Sequence, residues 1–406
     1  MLALGGALAF AQSAPGIAPL RTAPTEKFTV NPGFRDWAPA VLAGTTIVAG
    51  NLTNRGGLFG VDAVTGTLKW TFRPIGTASG NPFVATAPAV SGGIAIVPMG
   101  NTLVAVTIAT GREAWRGPAT ALQAAVATDA GLAFVLGEDA KFHALDATTG
   151  REKWAEPFPS RGACASIPVA RSGSVYVSRN VVVRAAEGGR AADYFRHLVA
   201  LDASTGQERW RYPAAPAGNT GMCVDEALVS GDTYFAVSDQ KLYAINLTNG
   251  RDVWPPIEVR GAIDGRDRVV GLAGLVDAGD VLVGVTPVSL IAFDKQSGRR
   301  AWELPGQYRQ NAPSTAVAGG VLYVQGHPGA KPASENQDRI VYQGGKPVEP
   351  VKALPGGHLN AIDLATRTVL WSFSRPTAEP NWSFGHVIAV NGGLWVDSYQ
   401  ALVKLQ

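Results

Sequence analysis

Cysteine, histidine and charge are all scarce in this chain. Its 406 residues include 2 Cys and 5 His, and charged residues make up only 17% of it. The two cysteines, Cys164 and Cys223, form no C-x-x-C pair, and the lack of C-x-x-C-H argues against an attached c-type haem. H-E-x-x-H, G-x-S-x-G and G-x-x-x-x-G-K-[ST] are also missing, which removes a zinc-protease helix, a nucleophile elbow and a phosphate-binding loop. No pair of carboxylates can be assigned to acid–base work. A net charge of +3, with basic residues scattered along the chain, is too mild to imply a nucleic-acid partner.

Turn formers and apolar residues are what the chain has in quantity. With 48 Gly, 27 Pro and 46% hydrophobic residues it reads as all-β with many turns. One unit recurs, clearest in LVALDASTGQERW from Leu198 to Trp210. Leu198–Leu201 is an apolar strand, Asp202 can bond nearby backbone N–H groups, and Thr205-Gly206 turns the chain because glycine enters φ > 0 without a Cβ clash. Trp210 ends the next short strand, where burying an indole requires a neighbouring surface. The copies are FGVDAVTGTLKW, VAVTIATGREAW, HALDATTGREKW, YAINLTNGRDVW, IAFDKQSGRRAW and NAIDLATRTVLW, ending at Trp70, Trp115, Trp154, Trp254, Trp302 and Trp371. Seven of the ten tryptophans thus hold one position of one motif. Successive copies lie 39 to 69 residues apart, most near the roughly 40 to 50 that a four-stranded propeller blade requires.

The D-x-x-T-G-x-x-x-W pattern behind an apolar strand resembles the tryptophan-docking repeat of the pyrroloquinoline quinone (PQQ)-like β-propellers. That family includes eight-bladed quinoprotein dehydrogenases and the propeller lipoprotein of the outer-membrane β-barrel assembly machine, to which this chain is closest in size. The resemblance implies an eight-bladed β-propeller of four-stranded antiparallel blades. It covers nearly the whole chain and speaks for fold more than for function, since the repeat serves enzymes and scaffolds alike.

The two chain ends bear on how such a ring closes. The final segment ALVKLQ, Ala401 to Gln406, aligns with the strand that precedes a Thr-Gly turn, so the last blade lacks its outer strand. TEKF, Thr25 to Phe28, resembles REKW before Trp154, with Phe28 in the tryptophan place. The N-terminal segment is therefore expected to complete the last blade and close the ring, removing an exposed edge. Residues 1–11 read as a signal-like segment with the small-residue site Ala9-Phe10-Ala11, although a basic n-region is missing. Residues 12–24 read as a linker and 25–406 as the propeller, exported to the periplasm or beyond. The opening apolar run is too short to span a bilayer.

Antiparallel alternation assigns function to one end of each blade. The connections after each tryptophan and those between second and third strands share that end, as do the insertions Ser178–Arg196 and Gln325–Gly357, the latter 33 residues long. Loops of that length are functional or disordered. Arg268, Arg309, Gln310, Asn311, Trp382 and His386 fall where the chain leads into innermost strands. Either they supply the cations, amide and aromatic surface that a planar anionic ligand would need, or Trp382 plugs the channel while the arginines pair with Asp264, Asp267 or Glu303. His143, His197 and His358 read as packing or rim residues, leaving His386 as the histidine to test as acid or base. Cys164 and Cys223 hold nearly equivalent places in adjacent blades, compatible with a disulfide across the seam or with buried free thiols.

Two functions remain open. One is a non-catalytic binding or scaffold module, expected to be a monomer, with no cofactor and with an envelope protein or small ligand on its loop face. The other is a quinoprotein dehydrogenase in which PQQ and Ca²⁺ would oxidise an alcohol or sugar. The resemblance implies for that enzyme an adjacent cysteine pair, a calcium-binding Glu and Asn, and a catalytic Asp. This chain has no Cys-Cys, and only Asp225, Glu226 and Asn311 stand near the required places. The repeat itself makes a direct prediction: Trp210→Ala should lower unfolding free energy by about 3–5 kcal/mol, as other large aromatic truncations do. An unchanged melting temperature would contradict the blade assignment.

Overall fold

The computed structural model describes residues 17–31, 39–50, 57–74, 86–99, 102–117, 125–137, 139–158, 168–184, 193–213, 224, 226–263, 266–286, 288–308, 315–328, 342–343, 346–347, 358–374, 384–398 and 401–406. Their architecture is that of an eight-bladed β-propeller: six blades are separate four-stranded antiparallel sheets, the sixth and seventh in chain order are joined into one eight-stranded sheet, and two short two-stranded hairpins stand apart. By contacts the chain falls into two compact units. The first holds five sheets, running from the strand Val41–Ala43 to the strand Asp252–Glu258. The second holds the three sheets from Ala273 onward together with the N-terminal strand Glu26–Val30 up to Thr29.

Each sheet is built from the repeat. The middle strands are apolar along their whole length because both faces are covered: Thr46–Gly50 and Ile94–Met99 are buried at every position. The acidic residue closing the third strand makes an Asx turn. Asp202 Oδ1 accepts the Ser204 and Thr205 amides at 2.9 and 3.0 Å, and Asp62, Asp146 and Asp363 do the same for their own turns. In the fifth sheet Asn246 takes this role through its own Oδ1. The Ser204 hydroxyl and then the Arg209 guanidinium hold the Asp202 carboxyl well below the usual carboxylate range.

A β-bulge then aims the tryptophan. In six repeats the residue before it is an extra one in the outer strand, namely Lys69, Ala114, Lys153, Arg209, Ala301 and Leu370. The bulge adds local twist and lets a basic residue reach back to the turn. Arg209 thus meets Asp202 at 2.7 Å, and Lys153 meets Asp146 at 3.4 Å. Opposite each of these indoles, the third strand places a glycine or alanine, Gly60, Ala105, Ala144, Ala200, Ala292 or Ala361.

The indoles dock on the following repeat. Within the first unit, Trp70, Trp115, Trp154 and Trp210 donate Nε1–H to the carbonyls of Ile108, Ala147, Ala203 and Leu247, at 2.7, 3.0, 2.9 and 2.8 Å. Each of those carbonyls belongs to the residue just after the turn's Asx position or its Thr107 equivalent. The turn glycine lies against the same ring: a Cβ on Gly111, Gly150, Gly206 or Gly250 would fall 2.5 to 2.9 Å from atoms of the preceding repeat's indole. In NAIDLATRTVLW the glycine is replaced by Arg367, which still adopts φ 61°.

In the second unit the N-terminal strand Glu26–Val30 is hydrogen-bonded to Ala401–Leu405 as the outer strand of the last sheet. Thr25 and Gln406 exchange backbone hydrogen bonds of 2.9 and 3.0 Å. Phe28 is half-buried there, with the Lys404 ammonium 5.9 Å from its ring centre. Residues 17–24, read from sequence as linker, pack on the seventh and eighth sheets, with Leu20 buried.

Three segments expected to be irregular are strands. Much of Ser178–Arg196 continues the second and third strands of the fourth sheet, Ser174–Arg184 and Asp193–Asp202, as a long hairpin arm. Its β-branched run Val181–Val183 favours that extension. The loop placed at Gln325–Gly357 begins later, because the strand Val321–Pro328 runs on and pairs Gly326–Pro328 with Gly306–Tyr308, joining the sixth and seventh sheets. Gly326 permits this approach, since a Cβ there would lie 2.5 Å from the Gln307 carbonyl oxygen. Arg260–Ile263 and Arg266–Val269 form a separate hairpin.

Two glycines with the same backbone conformation test the docking. Gly150 has φ 70° and faces Trp115, whereas Gly173 has φ 73° with nothing within 4 Å of its would-be Cβ. Gly173→Ala should lose about 1–2 kcal/mol from left-handed strain alone. Gly150→Ala should lose about 1–3 kcal/mol more from overpacking against the ring. Equal losses in urea unfolding would show that the indole does not close on the glycine.

Candidate functional site

Two of the six residues expected at the loop-face mouth lie among the described residues. Arg268 is half-buried on the short hairpin, opposite Gly261, rather than in a loop. His386 lies in the strand Phe384–Val390, the first strand of the last sheet. Arg309, Gln310, Asn311 and Trp382 lie outside the described residues, as do Cys164, Cys223 and the signal-like segment 1–11.

His386 has a partner that sequence reasoning missed. A bulge between Phe384 and Val387 turns both its backbone N–H and its ring toward Asp397 on the neighbouring strand. Nδ1 lies 2.8 Å from Asp397 Oδ2, and the His386 amide donates to Oδ1 of the same carboxylate. The pair is enclosed, its side chains 11% and 5% exposed. A carboxylate on Nδ1 fixes the ring, and in the neutral imidazole it favours the tautomer with the proton on that nitrogen and Nε2 as the acceptor. The signal in the sequence was an aspartate inside an apolar strand, Gly393–Ser398.

Two other histidines have partners of their own. His143 sits between Glu152 and Asp139, 2.8 Å from one at Nδ1 and 3.1 Å from the other at Nε2. His197 is buried, with Nδ1 2.9 Å from the Pro213 carbonyl oxygen and its ring 4.7 Å from that of Phe195. Tyr308 ends its strand immediately before Arg309, and its buried hydroxyl has no hydrogen-bond partner among the described residues. Burial pushes that hydroxyl well above an ordinary tyrosine. Among the described residues no three His, Cys, Asp or Glu side chains converge as metal ligands, and Glu226 begins the inner strand Glu226–Ser230. No helix of the described residues is long and apolar enough to cross a membrane.

Residues 20–126 and 99–257 match the family described as outer membrane protein assembly factor BamB. Among curated proteins, the serine/threonine-protein kinase AfsK of Streptomyces griseus is 26% identical over 259 residues, 59% of this chain and 26% of that one. The chain therefore spans about a quarter of that relative's length. Among solved structures, BamB from Moraxella catarrhalis superposes with a TM-score of 0.61 at 14% identity, over 94% of this chain and 99% of that one. A europium-containing methanol dehydrogenase gives a TM-score of 0.56 at 12% identity, over 92% and 84% of the two chains. At such identities the likeness is one of fold.

Removing one member of the buried pair should expose its energetic role. His386→Ala and Asp397→Ala should each lower unfolding free energy by about 1–3 kcal/mol, since each leaves a polar group enclosed without its partner. Urea denaturation measures this, and losses within error of zero would mean that the pair is not enclosed in solution.

Proposed function

The chain belongs to the family of outer membrane protein assembly factor BamB, and from that membership we propose that it is an exported propeller acting as a non-catalytic binding or scaffold module. Its partner would be an envelope protein or a small ligand, held on the end of the blades that bears the second-to-third strand connections. The reading places it in the periplasm or outside the cell, as a monomer. The observation that carries it is the family match, supported by a likeness to one BamB that spans 99% of that chain. The strand pairing that continues from Ser178 and Leu198 to Arg184 and Asp193 lengthens the fourth sheet at this end.

The mouth residues fit a ligand role within this reading. Arg268 and Arg309 would meet negative charge, Gln310 and Asn311 would donate amide hydrogen bonds, Trp382 would stack, and the Asp397-oriented His386 would accept through Nε2. The second reading, a PQQ- and Ca²⁺-dependent alcohol or sugar dehydrogenase, is favoured by the fold likeness to a methanol dehydrogenase. Against it stands the sequence, which lacks the adjacent cysteine pair that the enzymes' pattern implies. A disulfide between Cys164 and Cys223 would lock two adjacent blades in either case.

The two readings separate by experiment. An envelope extract passed over the immobilised protein should yield a partner that is lost when residues 329–357 are shortened, and loss of no partner would remove that segment from the binding surface. Titration with PQQ and Ca²⁺ should leave cofactor absorbance unchanged. Saturable binding abolished by Trp382→Ala and Arg309→Ala, with dye-linked oxidation of an alcohol, would establish the enzyme instead.

A further inference from the structure

We propose that the surface of the seventh and eighth sheets carrying residues 17–29 is a peptide-recognition site, and that it accepts the same segment from a second copy of this chain. In the first unit the indoles of Trp70, Trp115, Trp154 and Trp210 each take a carbonyl from the following repeat, and the turn carboxylates Asp146 and Asp202 are each met by a cation of their own repeat, Lys153 and Arg209. The seventh sheet has neither from those sources. Leu370, not a basic residue, precedes Trp371. Two adjacent residues of the N-terminal segment meet both needs. The Leu20 carbonyl accepts Trp371 Nε1–H at 3.0 Å, and Arg21 meets Asp363 at 2.5 Å.

Further contacts read the same segment. The Leu20 amide donates to the Tyr323 hydroxyl at 2.7 Å, while Arg21 also reaches the Gly319 carbonyl oxygen at 3.4 Å. Pro19 lies over Gly319, where an added Cβ would fall 2.6 Å from the proline ring. The Ala18 amide donates to Asn391 Oδ1 at 3.4 Å. The Asp363 carboxyl is held down to about 2, first by the Thr366 amide and then by Arg21. The chain continues as the strand Glu26–Val30 on the edge of Ala401–Leu405. The surface thus selects an apolar residue followed by arginine, then a strand, which is recognition by strand addition with a side-chain code beside it.

Connectivity supplies the second copy. Residues 17–29 belong by contacts to the second unit, whereas the described chain that follows, from Val30 to Asp239, belongs to the first. A segment that leaves one compact unit to complete another can be exchanged between identical chains without a new contact. The covalent connection favours the intramolecular arrangement at low concentration, by its effective concentration alone.

The test uses the full chain with a protease site placed within residues 32–38. After cutting, the N-terminal fragment should stay with the remainder on gel filtration. A fluorescent peptide of residues 16–31 should then replace it saturably. Leu20→Ala and Arg21→Ala in the peptide, or Asp363→Asn in the chain, should each weaken binding about tenfold or more. Two differently tagged intact copies, unfolded together and refolded at high concentration, should co-purify as a dimer that Arg21→Ala diminishes. Separation of the fragment from a folded remainder, unfolding on cutting, peptide binding indifferent to these changes, or absence of the mixed dimer would overturn the proposal.

Discussion

The indole of one repeat lying on the turn of the next is the interaction from which the rest of this structure follows. It joins three requirements in one place: an acceptor for the ring N–H, a turn residue without a Cβ, and a small residue across the strand. Gly150 and Ala147 serve Trp115 in this way, and Ala105 lies opposite it. A buried indole without an acceptor would lose the benefit of its burial to an unsatisfied donor. Stability in such an array is a sum over neighbouring repeats, so a defect at one junction is felt first by the two blades that share it.

The bulge before each tryptophan shows how the backbone serves that docking. Without the extra residue the alternation of a strand would turn the ring to the other face. The same extra residue, when it is Lys153 or Arg209, also returns a positive charge to the Asx turn. One local irregularity therefore sets both the packing of the ring and the electrostatics of the turn.

Regularity ends at the last sheets. The seventh sheet departs most: its turn glycine is Arg367, its second strand crosses to the sixth sheet through Gly326, and its indole and turn aspartate are satisfied by Leu20 and Arg21. The eighth sheet holds the enclosed His386–Asp397 pair within an otherwise apolar hairpin. Buried polar groups of this kind are costly unless matched, and Asp397 supplies the match for both the ring and the backbone N–H of His386.

The repeat was legible in the sequence because its parts are local. Asp202 reaches amides two and three residues away, and Gly206 and Trp210 follow at fixed offsets, so a reader needs no partner from elsewhere to see the blade. The absence of haem, zinc and nucleotide motifs was likewise a property of the linear chain. The Ala or Gly opposite each indole was also present in every copy, two places before the turn's Asp, Asn or Thr, but its meaning appears only when strands pair. What tertiary structure alone decided is non-local: that Asp397 would turn His386, that Ser178–Arg184 would continue a strand, and that Leu20 would serve a tryptophan 351 residues away. Those outcomes depend on which surfaces meet after the blades have formed, and residue order carries no spacing rule for contacts that only packing creates.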